Sequence, residues 1–300
     1  MKESRVNIFK GVKKMNKFPR TTVGGLSLSR MVIGTNWFLG YSHTSQADDD
    51  YIKENICERN KIADILEVYF NAGIDTIMGQ IQQAPLWDAI KEAEQRTGVK
   101  AIIVSTPALP VNKNTPFEGF DLGAVEKILD MEAAMGASFC MPHQSTTDSM
   151  VDRCSRELRK MSPVCKLIRE RNMIPGLSTH MPEAIIYADE TKLDVETYIS
   201  LYNSMGFLMQ VEVDWIANVI QNARKPVMTI KPLAAGQLRP FQGLNFVWNT
   251  IRDIDLVTIG TMSPKEAAEC IEISLGILEK RTTNIKLQAT RSKASIQGRK

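Results

Sequence analysis

Eight short apolar runs rich in Val, Ile and Thr recur along the sequence at a nearly constant interval, and this recurrence limits the possible folds. The runs begin between residues 31 and 256, so one step takes about 32 residues, the length of one strand and one helix. Segments with apolar residues at helical spacing lie between the runs, as in 61–71 and 264–278. Because buried strands that alternate with helices favour a parallel sheet, eight such units predict a closed (β/α)8 TIM barrel of the α/β class. The runs begin at Met31, Asp75, Ala101, Ala137, Met173, Val195, Val227 and Leu256.

The segment that precedes the first run is predicted to form a β-hairpin. Gly24 and Gly25 separate two short stretches of alternating polarity, which is the pattern of a turn between two strands. Such an N-terminal hairpin would cover one end of the barrel. No linker-like stretch interrupts residues 19–279, so this range is predicted to be one barrel domain. Residues 1–18 are predicted to be a basic N-terminal extension, and residues 280–300 a basic C-terminal tail.

Composition and charge exclude several classes of protein. Hydrophobic residues make up 43% of the chain and charged residues 24%, which is typical of a globular protein with a large core. No run approaches the roughly 20 apolar residues that a membrane span needs, so no membrane partner is expected. The body of the chain is acidic and only its ends are basic, so no nucleic-acid partner is expected. The five cysteines are widely spaced and lack a CxxC motif, which favours reduced thiols and a cytoplasmic location.

Several motifs in the predicted barrel are similar to those of one known family. Between Thr22 and Leu278, their order and spacing resemble the aldo-keto reductase superfamily. The resemblance implies a barrel whose ligand lies at the carboxyl ends of the strands. It also implies NAD(P) as a possible cofactor, since that family reduces carbonyl groups with NADPH. The motifs are VGGLSLSRMVIGT at 23–35, GID at 73–75, GLSTH at 176–180, YN at 202–203, KPLAAGQL at 231–238 and IGTMSPKEAAE at 259–269.

The catalytic positions that the resemblance assigns mostly do not hold the family's residues. That family uses a Tyr as general acid, a Lys that lowers the pKa of the Tyr, an Asp paired to the Lys, and a His that orients the substrate carbonyl. In this sequence the positions of Tyr, Lys and Asp hold Gln83, Thr106 and Met78, and only the His is retained, as His143. No Arg lies in residues 264–269 to bind a 2′-phosphate. A standard carbonyl reductase is therefore not expected.

The sequence holds three histidines, and each follows a predicted strand of the barrel. His43 follows the first strand, His143 ends the fourth and His180 ends the fifth, so the three side chains are predicted to meet at the mouth where barrel active sites lie. Imidazoles there could act as acid and base near neutral pH, could bind a divalent metal, or could be structural. No HxH or HExxH spacing specifies a metal. His143 and His180 are the candidate catalytic residues.

Lys231 ends the seventh predicted strand and is the third candidate catalytic residue. Alternation along the strand places Val227, Thr229 and Lys231 on one face, and Met228 and Ile230 on the other. The more apolar pair is expected to face the helices, which directs Lys231 into the mouth of the barrel. There it could bind an anionic substrate or act as a Schiff-base nucleophile. A surface lysine is the remaining alternative.

The loop after the first predicted strand offers side chains that suit a sugar-like ligand. Asn36, Trp37 and His43 combine an aromatic face for stacking with hydrogen-bonding groups. Trp37 could instead only pack the loop onto the rim of the barrel. Further polar residues that follow predicted strands are candidate substrate-binding residues: Gln80, Tyr202 and Asn203.

The N-terminus of the last predicted helix is a candidate site for a cofactor or another anion. Gly260, Thr261 and Ser263 precede this helix, and the amides of a helix N-terminus attract phosphate groups. The alternative is that Ser263 only caps the helix, with Pro264 in its first turn and Glu266 completing a capping box.

These patterns lead to three hypotheses about function. The first is an enzyme that acts on a small oxygenated substrate, sugar-like or phosphorylated, by His-based acid/base or metal-assisted chemistry. Lyase, isomerase and hydrolase reactions all fit this hypothesis. The second is a divergent NAD(P)H-dependent oxidoreductase of the aldo-keto reductase type. The third is a barrel that binds a small molecule without catalysis.

Overall fold

The computed structural model describes residues 17–111 and 118–287, together with residues 293 and 296. Residues 1–16 of the predicted basic extension lie outside the described residues. So do residues 288–300 of the predicted basic tail, apart from residues 293 and 296. The strands are, in chain order, β1 Arg20–Val23, β2 Leu26–Ser29, β3 Met31–Gly34, β4 Thr76–Gly79, β5 Ile102–Ser105, β6 Phe139–Cys140, β7 Val151–Asp152, β8 Glu157–Leu158, β9 Ile174–Pro175, β10 Leu177–Ser178, β11 Tyr198–Leu201, β12 Val227–Ile230 and β13 Leu256–Ile259.

The wall of the barrel is a ring of parallel strands. The hydrogen-bonded order is β10-β11-β12-β13-β3-β4-β5-β6-β9, and every neighbouring pair in it is parallel. β9 and β10 follow each other along the chain and are separated only by Gly176, so together they form the fifth strand and close the ring. The predicted (β/α)8 TIM barrel is confirmed. Each of the eight apolar runs supplies one strand position.

Gly176 divides the fifth strand because the interior of the barrel leaves no room for a side chain there. A Cβ atom at this position would lie 2.7 Å from Cε of Met141 and 2.8 Å from the carbonyl oxygen of Thr197. Glycine therefore permits the close approach of the neighbouring strand.

Helices cover the outside of the strand ring. The last of them begins as the sequence predicts, since the Ser263 hydroxyl accepts a hydrogen bond of 3.2 Å from the backbone N–H of Glu266. No helix in the described parts of the chain is long and apolar enough to cross a membrane. The helices are α1 Gln46–Asn55, α2 Arg59–Asn71, α3 Leu86–Thr97, α4 Leu122–Ala134, α5 Gln144–Thr147, α6 Met161–Glu170, α7 Pro182–Glu190, α8 Val213–Asn222, α9 Pro240–Thr250 and α10 Pro264–Leu278.

The N-terminal hairpin closes the barrel at the amino-terminal ends of its strands. β1 pairs with β2 in antiparallel register around Gly24 and Gly25, as predicted. Val23 and Leu28 from this hairpin are buried among the side chains that fill the barrel interior. The opposite end, where the strands have their carboxyl termini, is left for the functional site.

Side chains of the strands alternate between the barrel interior and the helical layer. The interior cluster contains Phe139 and Met228, with Ile230 packed against it, whereas Val227 belongs to the cluster that faces the helices. The prediction that Met228 and Ile230 face the helices was therefore wrong. The reason is that the barrel interior is itself packed with apolar side chains, so polarity does not distinguish the two faces of a barrel strand. Further interior residues are Val32, Met78, Val104, Met141, Ile199 and Leu256.

We expect Phe139→Ala to lower the free energy of unfolding by about 3–5 kcal/mol, because it leaves a cavity among tightly packed interior side chains. Phe139 is fully buried. Phe241→Ala is the matched control, since Phe241 is 57% exposed and its loss should change stability by less than about 0.5 kcal/mol. Urea unfolding measures both variants, and equal losses would contradict the assignment of Phe139 to the core.

Candidate active site

A cavity of about 310 Å³ opens at the carboxyl ends of the barrel strands. Its lower wall is apolar and includes Met78, Ile199 and Ile230, which continue the packed interior of the barrel. Its upper wall is formed by the loops that follow the strands. The predicted site residues that line this cavity are Asn36, Trp37, His43, His143, His180, Lys231 and Gly260.

Two of the predicted substrate-binding residues, which directly follow strand β11, turn away from the cavity. Since Ile199 points inward, alternation carries Tyr202 outward, where its ring packs 5.1 Å from that of Phe246. The Asn203 side chain accepts a hydrogen bond from the backbone N–H of Phe207 and donates one to the carbonyl of the same residue. Tyr202 and Asn203 thus support the local fold.

Three more predicted residues do not line the cavity. Gln80 accepts a hydrogen bond from Gln83. Thr261 is buried and lies 3.1 Å from the hydroxyl of Tyr69, and Ser263 caps α10. The cavity instead includes Ser178, Thr258 and other polar residues that were not among the predicted site residues. Residues 176 and 256 point into the barrel, and Ser178 and Thr258 lie two residues after them on the same strand faces. The sequence would have identified Ser178 and Thr258 as site residues if the inward face of each strand had been assigned correctly.

His143 holds its imidazole in a defined tautomer. Its Nδ1 atom accepts hydrogen bonds from the backbone N–H of Ser145 at 3.3 Å and from the Ser145 hydroxyl at 2.9 Å. The proton of the neutral ring therefore resides on Nε2. Burial first, and then the charge of Lys231, lower the pKa of His143, which favours the neutral ring.

His180 also lies on the cavity, on the segment that follows strand β10. Burial first, and then the charge of Lys231, lower the pKa of His180 to about 4. Its backbone N–H donates to the carboxylate of Asp148, which also accepts a hydrogen bond of 2.5 Å from Thr179. Asp148 lies in the connection that follows β6, the fourth strand of the ring. Its hydrogen bonds therefore join that connection to the segment that carries His180.

His43 completes the set of histidines at the rim. The Asn36 side-chain amide donates a hydrogen bond of 2.7 Å to Nε2 of His43, which leaves the ring proton on Nδ1. Burial against the cavity and the charge of Lys231 lower the pKa of this histidine, so it too favours the neutral form.

Lys231 reaches the cavity through an irregular backbone conformation. Ile230 points into the barrel, so regular alternation would turn Lys231 toward the helices. Instead Lys231 adopts a left-handed φ of 58°, and its side chain lines the cavity. A non-glycine residue in this region costs about 1 kcal/mol. The expected location of Lys231 is therefore correct, although the alternation from which it was predicted is not.

Lys231 has no carboxylate partner within the cavity. No Asp or Glu in the described ranges lines the wall. Burial lowers the pKa of Lys231 to about 8, and its charge in turn lowers the pKa of all three histidines. The site thus combines an uncompensated amine with neutral imidazoles.

The residues at the site do not fit an NADPH-dependent carbonyl reductase. Met78 and Thr106 line the cavity at positions where the resemblance implies Asp and Lys, and no tyrosine of the described ranges lies on its wall. At the start of α10, the Glu266 carboxylate accepts a hydrogen bond of 2.8 Å from the backbone N–H of Met262. This carboxylate brings a negative charge to the helix end where a phosphate would bind.

Hydrogen bonds define the protonation of two of the histidines on the cavity. Within the ranges that the structure describes, no group of three or more His, Cys, Asp or Glu side chains is arranged to hold a metal ion. The three histidines lie on the cavity, and the side-chain hydrogen bonds of His43 and His143 fix which nitrogen carries the proton. A neutral imidazole carries one hydrogen-bond donor nitrogen and one acceptor nitrogen.

We expect Lys231→Met to raise the free energy of unfolding at pH 7 by about 1–3 kcal/mol, because it removes a buried, unpaired charge. The folded-state pKa of about 8 lies below the ordinary value of 10.5, so between these pH values the unfolded wild-type chain binds more protons than the folded one. Raising the pH through this window stabilises the wild type. The difference in free energy of unfolding between Lys231→Met and the wild type should therefore shrink.

Urea unfolding between pH 7 and the ordinary lysine pKa of 10.5 measures this difference. Lys225→Met is the matched control, since Lys225 precedes the same strand and forms a partly exposed ion pair of 3.1 Å with Glu196. Its loss should cost less than about 1 kcal/mol. A Lys231→Met protein that is less stable than the wild type would show that the lysine serves the fold.

Solved structures match the chain over most of its length at low sequence identity. A Pseudomonas aeruginosa protein that bears the name of an aldo-keto reductase is 16% identical, with a TM-score of 0.62 over 90% of this chain and 99% of that one. An aldo/keto reductase from Brucella melitensis is 11% identical, with a TM-score of 0.53 over 89% of this chain and 96% of that one. The BexX/CysO complex of Amycolatopsis orientalis gives 9% identity and a TM-score of 0.51, over 90% and 100%. No protein-family model matches the sequence, and a search of curated proteins gives no match.

Identities this low establish the fold and leave the reaction to be argued from the site. The similarity of the whole barrel to aldo-keto reductases agrees with the resemblance seen in the sequence motifs. The chain is a divergent (β/α)8 barrel with an aldo-keto-reductase-like fold.

Proposed function

We propose that the protein is an enzyme that acts on a small oxygenated substrate, sugar-like or phosphorylated, by proton transfer between its histidines and the substrate. The observation that supports this function best is the convergence of His143, His180 and Lys231 on one cavity whose described wall lacks a carboxylate. Isomerases, lyases and hydrolases all use proton transfers of this kind.

The three side chains divide the chemistry between them. Lys231 supplies the positive charge that attracts an anionic group or a developing oxyanion of the substrate. His143 presents its protonated Nε2 as hydrogen-bond donor and acid, because Ser145 occupies its Nδ1. His180, kept neutral by burial, accepts a proton as base. Around them, Trp37 offers an aromatic face and Asn36 an amide to a hydroxylated ligand.

The first test follows proton exchange into the substrate. The protein is incubated in D2O with a panel of small sugar phosphates, and NMR measures the incorporation of deuterium at carbon. We expect His143→Gln to slow exchange by about 10²–10⁴-fold, the usual contribution of a general acid or base. Ser149→Ala is the control, because the Ser149 hydroxyl donates to the Ser145 carbonyl and lies off the cavity. Unchanged exchange in His143→Gln would exclude the proposed role of this histidine.

The second test measures the anion-binding role of Lys231. We expect Lys231→Met to weaken the binding of an anionic ligand from the same panel by about 1.5–3 kcal/mol, the value of one charge-assisted hydrogen bond. Lys231→Arg retains the charge and should lose less affinity for the ligand than Lys231→Met. Isothermal titration calorimetry compares the three proteins. Equal affinity in Lys231→Met and the wild type would leave the lysine without a part in binding.

A divergent oxidoreductase is the second candidate function. It is favoured by one observation, that Pro232, Leu233 and Gly236 of the family-like KPLAAGQL segment line the cavity together with Gly260. Fluorescence titration with NADPH separates it from the first proposal. Binding at micromolar concentration would favour the oxidoreductase, whereas no change in fluorescence favours the acid/base enzyme. Ligand binding without exchange or turnover would instead support a non-catalytic barrel.

A further inference from the structure

We propose that Lys231 is a covalent catalyst that forms an imine with a small aldehyde or ketone bound in the cavity. This inference rests on the proposed function and narrows its substrate class to carbonyl compounds. It rests on the position of Lys231, on the walls that surround its amine, and on the histidines beside it.

The position of Lys231 is set by the backbone. Strand β12 ends with Ile230 directed inward, and the left-handed conformation of the next residue keeps the lysine side chain on the cavity as well. This conformation breaks the alternation of the strand, so two successive side chains, those of Ile230 and Lys231, both line the cavity.

The walls around the amine disfavour its charged form. Apolar side chains of Ile199, Ile230 and Leu233 line the same cavity, and the described residues add no carboxylate to it. Burial is the cause that lowers the pKa of Lys231 to about 8, so a useful fraction of the amine is uncharged near neutral pH. An uncharged amine is the form that attacks a carbonyl carbon.

The histidines supply the protons that imine formation requires. His143 offers Nε2–H as donor, and the neutral ring of His180 accepts protons. Both lie on the cavity that contains Lys231. A nucleophilic amine with a separate acid and base is the arrangement that carbonyl chemistry needs.

The reaction balances without any further reagent. The Nζ lone pair of Lys231 forms a C–N bond to the carbonyl carbon, and the π electrons move to the oxygen, which accepts a hydrogen bond from Nε2–H of His143. The nitrogen gives up one proton to His180, which passes that proton to the oxygen. One further proton, taken up from the solvent, converts the resulting hydroxyl into a water molecule that leaves, and the nitrogen lone pair forms the C=N bond of the protonated imine. The protonated imine then withdraws electrons from the adjacent carbon, whose proton a neutral histidine can remove. Hydrolysis of the imine returns the free lysine.

The test is reductive trapping at pH 7. The full-length protein is treated with acetaldehyde, or in a second arm with pyruvate, in the presence of sodium cyanoborohydride, which converts an imine into a stable secondary amine. Peptide mass mapping then measures the labelling rate of each lysine. We expect Lys231 to be labelled about tenfold faster than Lys225, because burial lowers the pKa of the Lys231 amine and so raises its uncharged fraction. In Lys231→Arg the label at this position should disappear while that at Lys225 remains.

Labelling of Lys231 no faster than Lys225 with either probe would overturn the proposal. The proposed acid/base function would survive this result if His143→Gln still abolished deuterium exchange and Lys231→Arg retained ligand affinity, since Lys231 would then act only as a cation. Selective labelling of Lys231 without deuterium exchange for any ligand would support the imine and count against the acid/base function.

Discussion

Closure of the parallel strands into a ring is the constraint on which the rest of the molecule depends. Because all strands of the ring run in the same direction, their carboxyl ends meet at one rim, and residues distant in sequence become neighbours there. The N-terminal hairpin occupies the other end and packs Val23 and Leu28 into the interior. The hairpin thus leaves the carboxyl end of the ring for a ligand, and the histidines and the lysine lie at that end.

The fold could be predicted from the sequence because its signal repeats eight times. An error in one unit does not change the architecture, and even the fifth strand, divided at Gly176, keeps its place in the ring. Which face of an individual strand points into the barrel could not be predicted with the same success. Met228 and Val227 are both buried and apolar, yet they lie on opposite sides of β12, since a barrel strand is apolar on both faces.

The site was predictable to the extent that it follows from strand ends. His143, His180 and Lys231 all line the cavity, whereas Tyr202 and Thr261 follow strands and still turn into the local fold. Two properties depend on three-dimensional contacts that no spacing reveals. These are the tautomer of His143, which Ser145 sets, and the burial of the Lys231 amine in a cavity that side chains from several strands form together.

The side chains at the start of α10 also bear on which ligands this end of the mouth would accept. Many barrels offer the N-terminus of a late helix to a phosphate group. Here the Ser263 hydroxyl accepts a hydrogen bond from the backbone N–H of Glu266, and the Glu266 carboxylate accepts one from the backbone N–H of Met262. The chain thus satisfies two backbone amides with its own side chains, and the carboxylate repels an anion from this end of the helix.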